Sequence, residues 1–417
     1  MNGHRLDDIV CFEVGSSGTV PWTGSRGELD DDWQMLKLLA ERGVVQITSR
    51  GSHVEIRGAK YVGLVVLPSG RRLVVRSKIP SLTLLEWMAY LGEFPRLTTW
   101  LPDAGIVVGD DWHECLARLF LYALEKVTRL HLRKDYVAVT RDEPAIRGRI
   151  VTTALAQRLH RLPSVPQLQR MRTFDTPYNI VLALALDRAP LLLAADRKNN
   201  WRRWGRLREQ WGTITRKLDD PLATVSAAQW ACPPGYRGAL QLARLILIGA
   251  SVDSASPMGG QAFTLSLAGL WERAVRRMCD ELTPLTGWRR LGNEHRTRRW
   301  DDPVGHDDQQ RWLTADVLLQ RNEARWVLDA KYKCDFGNES RIDRFQMCAY
   351  AVAFDARRVS LVYPTGTSEL FNERTLLTAT IGGESIRIDS LCLSMSSGPE
   401  SCRAALSHAA SRTLRND

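Results

Sequence analysis

The sequence contains no apolar run of about eighteen residues, the length that a membrane span requires. Its longest apolar stretches, Ile180 to Leu186 and Leu245 to Ala250, are much shorter. Met1 to Asp8 is polar and charged, so neither a secretory leader nor a membrane anchor is expected. The eight cysteines include no CxxC pair and no metal-ligand spacing. That excludes the usual frameworks for zinc, iron–sulfur clusters and disulfides, and it points to a reduced, cytoplasmic protein. No GxxxxGK[ST] element occurs, so the chain is not expected to bind a nucleotide through a P-loop of its own. Internal repeats are absent too.

What is present is size and positive charge. With 417 residues, 44% of them hydrophobic, the chain can bury more than one core, and two or three domains are expected. A net charge of +10 suits a protein that meets a polyanion, although charge alone does not identify a nucleic-acid binder. Short alternating segments between Val44 and Pro80 read as strands, with a turn at Ser69-Gly70. Helical spacing follows at Leu82 to Leu91 and at His113 to Leu132. Tyr178 to about Gly249 reads as mostly helical, with breaks at Pro190, Pro221 and Pro233-Pro234. Asp253 to Gly260 has the composition of a linker. The expected organisation is α+β and multidomain: a β-rich module over 1–95, a mostly helical middle domain over 96–255 and an α/β domain over 256–417. In the last, a helix is expected from Phe263 to Leu282, a hairpin from Trp312 to Tyr332, a helix from Arg341 to Asp355 and a strand from Val359 to Tyr363. The serine-rich tail after Leu393 is expected to fray.

The chemistry concentrates in the hairpin. In Trp326-Val-Leu-Asp-Ala-Lys-Tyr332, residues two apart share a strand face, so Asp329 and Lys331 point one way while Leu328 and Ala330 point the other. A turn at Asn322-Glu323 sets Asp316 opposite Asp329, with Cβ atoms roughly 4.5 to 5.5 Å apart, so that two carboxylates can share one cation. Magnesium accepts such oxygen ligands and keeps several waters, so Asp316, Asp329 and the Ala330 backbone carbonyl make a candidate site. A bound cation there would acidify a water and neutralise charge on a phosphodiester, with Lys331 beside it. The plain alternative is a surface Asp–Lys pair of little consequence. Against that, Val317, Leu318, Leu319, Val327 and Leu328 mark buried strands, where an unpartnered acid pair is costly.

Two flanking helices add candidates. Glu272 shares a helical stripe with Leu265, Ala268, Val275 and Cys279, so it needs an inward partner: either the metal site, directly or through water, or a nearby arginine. After the hairpin, Ser340 and Asp343 have capping-box spacing, and Asp343, Gln346 and Tyr350 fall on one face. These three suit either a polar role at the site or the edge of a packed helix.

A helix with Glu272, a strand with Asp316, a strand with Asp329-Ala-Lys331 and a helix with Gln346, in that order, resemble the PD-(D/E)XK nuclease superfamily, whose core is a mixed sheet flanked by helices. Leu270-Trp-Glu272, Asp329-Ala-Lys-Tyr-Lys333 and Asp343-Arg-Phe-Gln-Met-Cys-Ala-Tyr350 are similar to the McrC family, the nuclease subunits of McrBC-type modification-dependent restriction systems. The likeness extends upstream through Gly63 to Pro80 and Ile146-Arg-Gly-Arg-Ile150, covering roughly residues 60 to 365. It implies a magnesium-dependent DNA endonuclease with Asp316, Asp329, Lys331, Glu272 and Gln346 at its site. It also implies a partner, the McrB-like AAA+ GTPase, which binds the GTP and which the N-terminal module would contact. A non-catalytic activator of that GTPase, or a stand-alone nuclease, are the alternatives.

The segment between Glu272 and Asp316 reads as a long basic loop, and Arg289, Arg290, Arg296, Arg298 and Arg299 within it are candidate DNA contacts. His295 and His306 in the same segment are not assigned a role. Trp201, Trp204 and Trp211, interleaved with arginines, resemble a base-stacking platform, but their helix spacing favours an amphipathic helix with a tryptophan stripe inside.

Overall fold

The computed structural model describes residues 9–12, 17–21, 26–50, 53–93, 104, 106, 111–157, 164–193, 198–216, 223–224, 226, 228, 231–251, 261–291, 297–299, 312–332, 340–365, 371–381 and 384–412. The expected linker at 253–260 lies outside these, as do Pro221, His295, Arg296 and His306. The chain divides into two compact units: residues 1–97, 107–112 and 252–417 in one, 98–106 and 113–251 in the other. The segments 1–95 and 256–417, separated in the sequence reading, therefore fall in one unit.

That unit begins with β1 (Ile9–Phe12), β2 (Ser17–Pro21), α1 (Arg26–Glu41), β3 (Val45–Arg50), β4 (His53–Gly58), β5 (Tyr61–Val66), β6 (Arg72–Arg76) and α2 (Ser81–Tyr90). Met35, Leu36 and Leu39 of α1 pack on Val45, Ile56, Val65, Leu73 and Val75, which gives the small strands a common core. The β5–β6 turn is tied to α1, since Ser69 donates its N–H and its hydroxyl to the Asp32 carboxylate at 3.0 and 2.7 Å.

The second unit holds α3 (Trp112–Arg129) beyond its first residue, then β7 (Asp135–Glu143), β8 (Arg149–Ile150), α4 (Thr152–Gln157), β9 (Val165–Thr173), α5 (Pro177–Leu192), α6 (Lys198–Gln210) and α7 (Arg237–Ser251). Its described residues are mostly helical, with one antiparallel sheet, β7-β9-β8, whose strand β7 is mostly exposed and so lacks a strong apolar alternation. Pro190 does not break the helix; it lies within the last turn of α5. Trp204 donates from Nε1 to the Leu186 carbonyl at 2.9 Å, and the buried Trp211 donates to Thr128 Oγ1 at 2.9 Å. Arg203 and Arg206 pair with Glu125. These two tryptophans serve packing.

The first unit resumes with β10 (Gln261–Ser266), α8 (Leu267–Thr286), β11 (Arg289–Arg290), β12 (Thr297–Arg299), β13 (Trp312–Thr314), β14 (Val317–Arg321), β15 (Ala324–Ala330), α9 (Arg341–Phe354), β16 (Arg358–Thr365), β17 (Phe371–Ile381), β18 (Glu384–Ser394) and α10 (Gly398–Arg412). Residues 263–266 are strand rather than helix. Their apolar content fits both, and pairing with β5 decides it: Phe263 opposes Leu64 and Leu265 opposes Val62. Where fraying was expected, residues 398–412 form α10, whose Leu406, Ala409 and Ala410 are buried.

A six-stranded mixed sheet dominates this part, in the order β11-β14-β15-β16-β18-β17. β15, β16 and β18 run parallel and the other pairings are antiparallel. A parallel step needs a crossover, and α9 supplies the one from β15 to β16. One sheet face, with Leu318, Val327, Val359, Leu361 and Tyr363, packs on Met347, Tyr350 and Phe354 of α9. At β16, Trp271 of α8 donates from Nε1 to the Val362 carbonyl at 3.0 Å.

Candidate active site

The β14–β15 hairpin has the register expected from the sequence. Val317 opposes Leu328 and Arg321 opposes Ala324 across a turn in which Asn322 has φ +51°. Asp316 lies one residue before β14, on a bend, and one Asp316 oxygen, Oδ2, accepts the Ala330 N–H at 2.8 Å. The acid therefore closes onto the end of β15, where Asp329 and Lys331 stand.

Asp329 and Lys331 share a face with Val327, the one covered by α9. Asp329 is only 3% exposed, and its Oδ2 lies 2.7 Å from Lys331 Nζ. Burial pushes its carboxyl up to about 6; Lys331 opposes that shift, and the nearby Asp316 and Asp343 carboxylates add to it. The ammonium also donates to Gln346 Oε1 at 3.1 Å. The Gln346 amide donates in turn to the Tyr350 hydroxyl at 2.7 Å, which donates to the Thr314 carbonyl at 2.9 Å. Burial, and next the Asp329 carboxylate, raise the Tyr350 hydroxyl well above its usual range, so it stays a donor. A continuous chain thus runs from Asp329 through Lys331, Gln346 and Tyr350 to the backbone just before Asp316.

Asp343 is buried at the start of α9 and takes part in a capping box, accepting from Ser340 Oγ at 2.7 Å and from Ser340 N at 3.3 Å. Glu272 is not inside. The buried stripe of α8 runs through Leu267, Leu270, Trp271, Ala274, Val275, Met278, Cys279 and Leu282, and Glu272 sits at its edge with its side chain 36% exposed. Its partner is the arginine one turn on: Arg276 Nη2 pairs with Glu272 Oε1. Arg276 also donates from Nε to the Asp316 carbonyl at 3.2 Å, with Nη2 3.9 Å from Asp316 Oδ1. The sequence reading did not single out Arg276; its i,i+4 spacing from Glu272 was the available signal.

The basic candidates are dispersed. Arg289 and Arg290 form the edge strand β11, and Arg290 is held by Asp280, with Nη2 to Oδ2 at 3.0 Å. Arg298 and Arg299 lie in β12, opposite Leu313 and Trp312 of β13. Among its described residues, the segment between Glu272 and Asp316 thus contains the short strands β11, β12 and β13 after the end of α8.

No group of three or more His, Cys, Asp or Glu side chains placed to hold a metal occurs among the described residues. The donors that do converge are the carboxylates of Asp316 and Asp329 beside the Ala330 main chain. They are all hard oxygens, one is deeply buried, and that chemistry fits magnesium completed by water rather than zinc or iron.

Fold and site together define a multidomain α+β protein with an acid–lysine cluster at the end of a buried mixed sheet. The family model described as McrBC 5-methylcytosine restriction system component matches residues 56–364, and the chain belongs to that family. Among solved structures it is similar to a chain of the refined half-complex from a tetradecameric assembly of Thermococcus gammatolerans McrB AAA+ hexamers with bound McrC. That likeness has a TM-score of 0.65 at 15% identity and covers 97% of this chain and all of the other. A chain of the cryo-EM structure of the Thermococcus gammatolerans McrBC complex matches at TM-score 0.44 and 16% identity, over 66% of this chain and 88% of that one. No curated protein matches.

Proposed function

We propose that this chain is the magnesium-dependent DNA endonuclease subunit of a GTP-dependent, McrBC-like restriction complex, and that its C-terminal core is of the PD-(D/E)XK type. The observation that carries the reading is the cluster at the end of β15, where Asp316 accepts the N–H of Ala330, the residue next to Asp329, and Lys331 is clamped between Asp329 and Gln346. A buried acid with two acidic neighbours and one ammonium lacks positive charge, and a phosphodiesterase would use that deficit to hold a divalent cation. Asp316, Asp329 and the Ala330 carbonyl would hold the ion, which when bound supplies an acidified water and charge neutralisation at phosphorus. Lys331 orients that water and stabilises the charge that develops in the transition state. Gln346, fixed by Tyr350, keeps the Lys331 ammonium aimed.

The partner reading rests on the near-complete overlap with a chain of an assembly described as McrB hexamers with bound McrC, and the positive net charge supports contact with DNA. With no P-loop in this sequence, GTP belongs to the partner. The N-terminal module over 1–95 is the proposed partner contact.

Cleavage of methylated and unmethylated plasmid tests the proposal, with the chain alone and with its GTPase plus GTP and magnesium. Lys331→Ala and Asp329→Asn are expected to lower cleavage at least about 100-fold while GTP hydrolysis by the complex persists. Cutting without the GTPase would instead make the chain an independent nuclease. GTPase stimulation with no cutting by wild type would make it an activator.

A further inference from the structure

Arg276 stands at the junction of the candidate site, and nothing in the proposed chemistry uses it. Asp316 occupies a bend between β13 and β14, outside the regular ladder, so its orientation depends on groups around it. From one side, the Ala330 N–H fixes Oδ2. From the other, the guanidinium of Arg276 donates through Nε to the Asp316 carbonyl, 3.2 Å away, and brings Nη2 within 3.9 Å of Oδ1. The same Nη2 is held by Glu272, one turn earlier on α8. A planar fork can reach a carbonyl and two carboxylates at once, which a lysine ammonium on its flexible stem cannot reproduce.

We infer that Arg276 is a positioning residue that sets the Asp316 carboxylate opposite Asp329, and that Glu272 acts through Arg276 and not as a metal ligand. This rests on the nuclease reading above, since it concerns how the same acid pair is held for a divalent cation. Glu272 fixes the guanidinium, the guanidinium fixes the bend, and the bend presents Asp316. Losing either end of that chain lets the bend relax, which weakens cation binding while leaving the acid pair and Lys331 in the sequence.

The experiment is Mn2+ binding to the full-length chain, followed by electron paramagnetic resonance, for wild type, Asp329→Asn, Arg276→Gln, Arg276→Lys, Glu272→Gln and the Glu272→Gln/Arg276→Gln double variant. Wild type is expected to bind and Asp329→Asn to lose the site. Both Arg276 variants should bind about tenfold more weakly, the size typical of an outer-shell partner. Lysine should not rescue, and the double variant should be no weaker than Arg276→Gln alone, because both changes break one chain of contacts. Arg276→Lys retains the charge, so its loss of affinity would report the fork and not gross unfolding. Wild-type affinity in the Arg276 variants overturns the inference, as does a Glu272→Gln loss that adds fully to that of Arg276→Gln. If wild type binds no Mn2+, or Asp329→Asn binds as well as wild type, the nuclease reading itself fails.

Discussion

The Asp329 carboxylate has exchanged water for one lysine and two neighbouring acids, and its displaced pKa has a thermodynamic consequence. The folded chain holds the Asp329 proton up to about pH 6, whereas a solvated aspartate in the unfolded chain releases it near 3.8. The folded state thus binds the proton more tightly, and the stability this confers is present below about pH 4 and lost as pH rises through 6. At about 1.4 kcal/mol per unit, the loss is on the order of 3 kcal/mol. Asp329→Asn cannot ionise, so without metal it should unfold at a higher temperature than wild type at pH 7.5, with the difference disappearing near pH 4. Magnesium should reverse the order at pH 7.5, because only wild type gains a ligand-bound state. A difference between the two proteins that does not vary with pH would refute burial as the cause of the shift.

Among the elements, β15 is held from both ends and both sides. Trp326, three residues before Asp329, donates from Nε1 to Ser360 Oγ at 2.8 Å, and Ser360 is hydrogen-bonded to Asp389. Asp389 is fully buried and pairs with Arg358 at 2.9 Å and Arg387 at 3.2 Å; Glu373 pairs with the same two arginines. Burial raises the Asp389 carboxyl, while Arg358 opposes the shift. Removing one member of such a network leaves a buried charge, which costs about 3–5 kcal/mol. Asp389→Ala should therefore lower the unfolding free energy by that amount in denaturant titration. A loss under about 1 kcal/mol would show that the remaining carboxylate, Glu373, is enough to neutralise Arg358.

The site was legible at this scale wherever it depended on local pattern. Alternation put Asp329 and Lys331 on one face, the turn at Asn322-Glu323 fixed the hairpin register, and spacing gave the capping box of α9. What could not be read was tertiary. The network around Asp389 joins residues from β15, β16, β17 and β18, with Arg358 also donating to the Ala409 carbonyl of α10, and no local period marks it. Glu272 read as inward because a stripe seven residues wide cannot distinguish a buried position from the edge of a buried face. Phe263 to Ser266 read as helix because the choice belonged to β5, two hundred residues earlier.

At the scale of the whole molecule, that distant pairing makes the N-terminal strands part of the support for the candidate active site. β10 adds to the edge of β5 and runs directly into α8, the helix that carries Glu272 and Arg276. The junction is secured by the Leu267 N–H donating to the Lys60 carbonyl at 2.9 Å and by the Ser266 hydroxyl accepting the Gly269 N–H at 3.1 Å. Farther along α8, Trp87 of α2 meets Trp271 edge-on at 5.9 Å and donates to the Met395 carbonyl at 2.9 Å. The pairing of β5 with β10 depends on Gly63. Its φ is +145°, and a Cβ there would lie 2.0 Å from the Phe263 carbonyl oxygen, so any side chain must force β10 away. Backbone strain and displacement together should cost at least about 2 kcal/mol in Gly63→Ala. The effect should appear far from the substitution: amide hydrogen exchange at Leu265 to Val275 should accelerate, and Mn2+ affinity should fall with it. Unchanged protection of the α8 amino terminus in Gly63→Ala would mean that the helix is held without β5 and that the N-terminal strands do not support the candidate site.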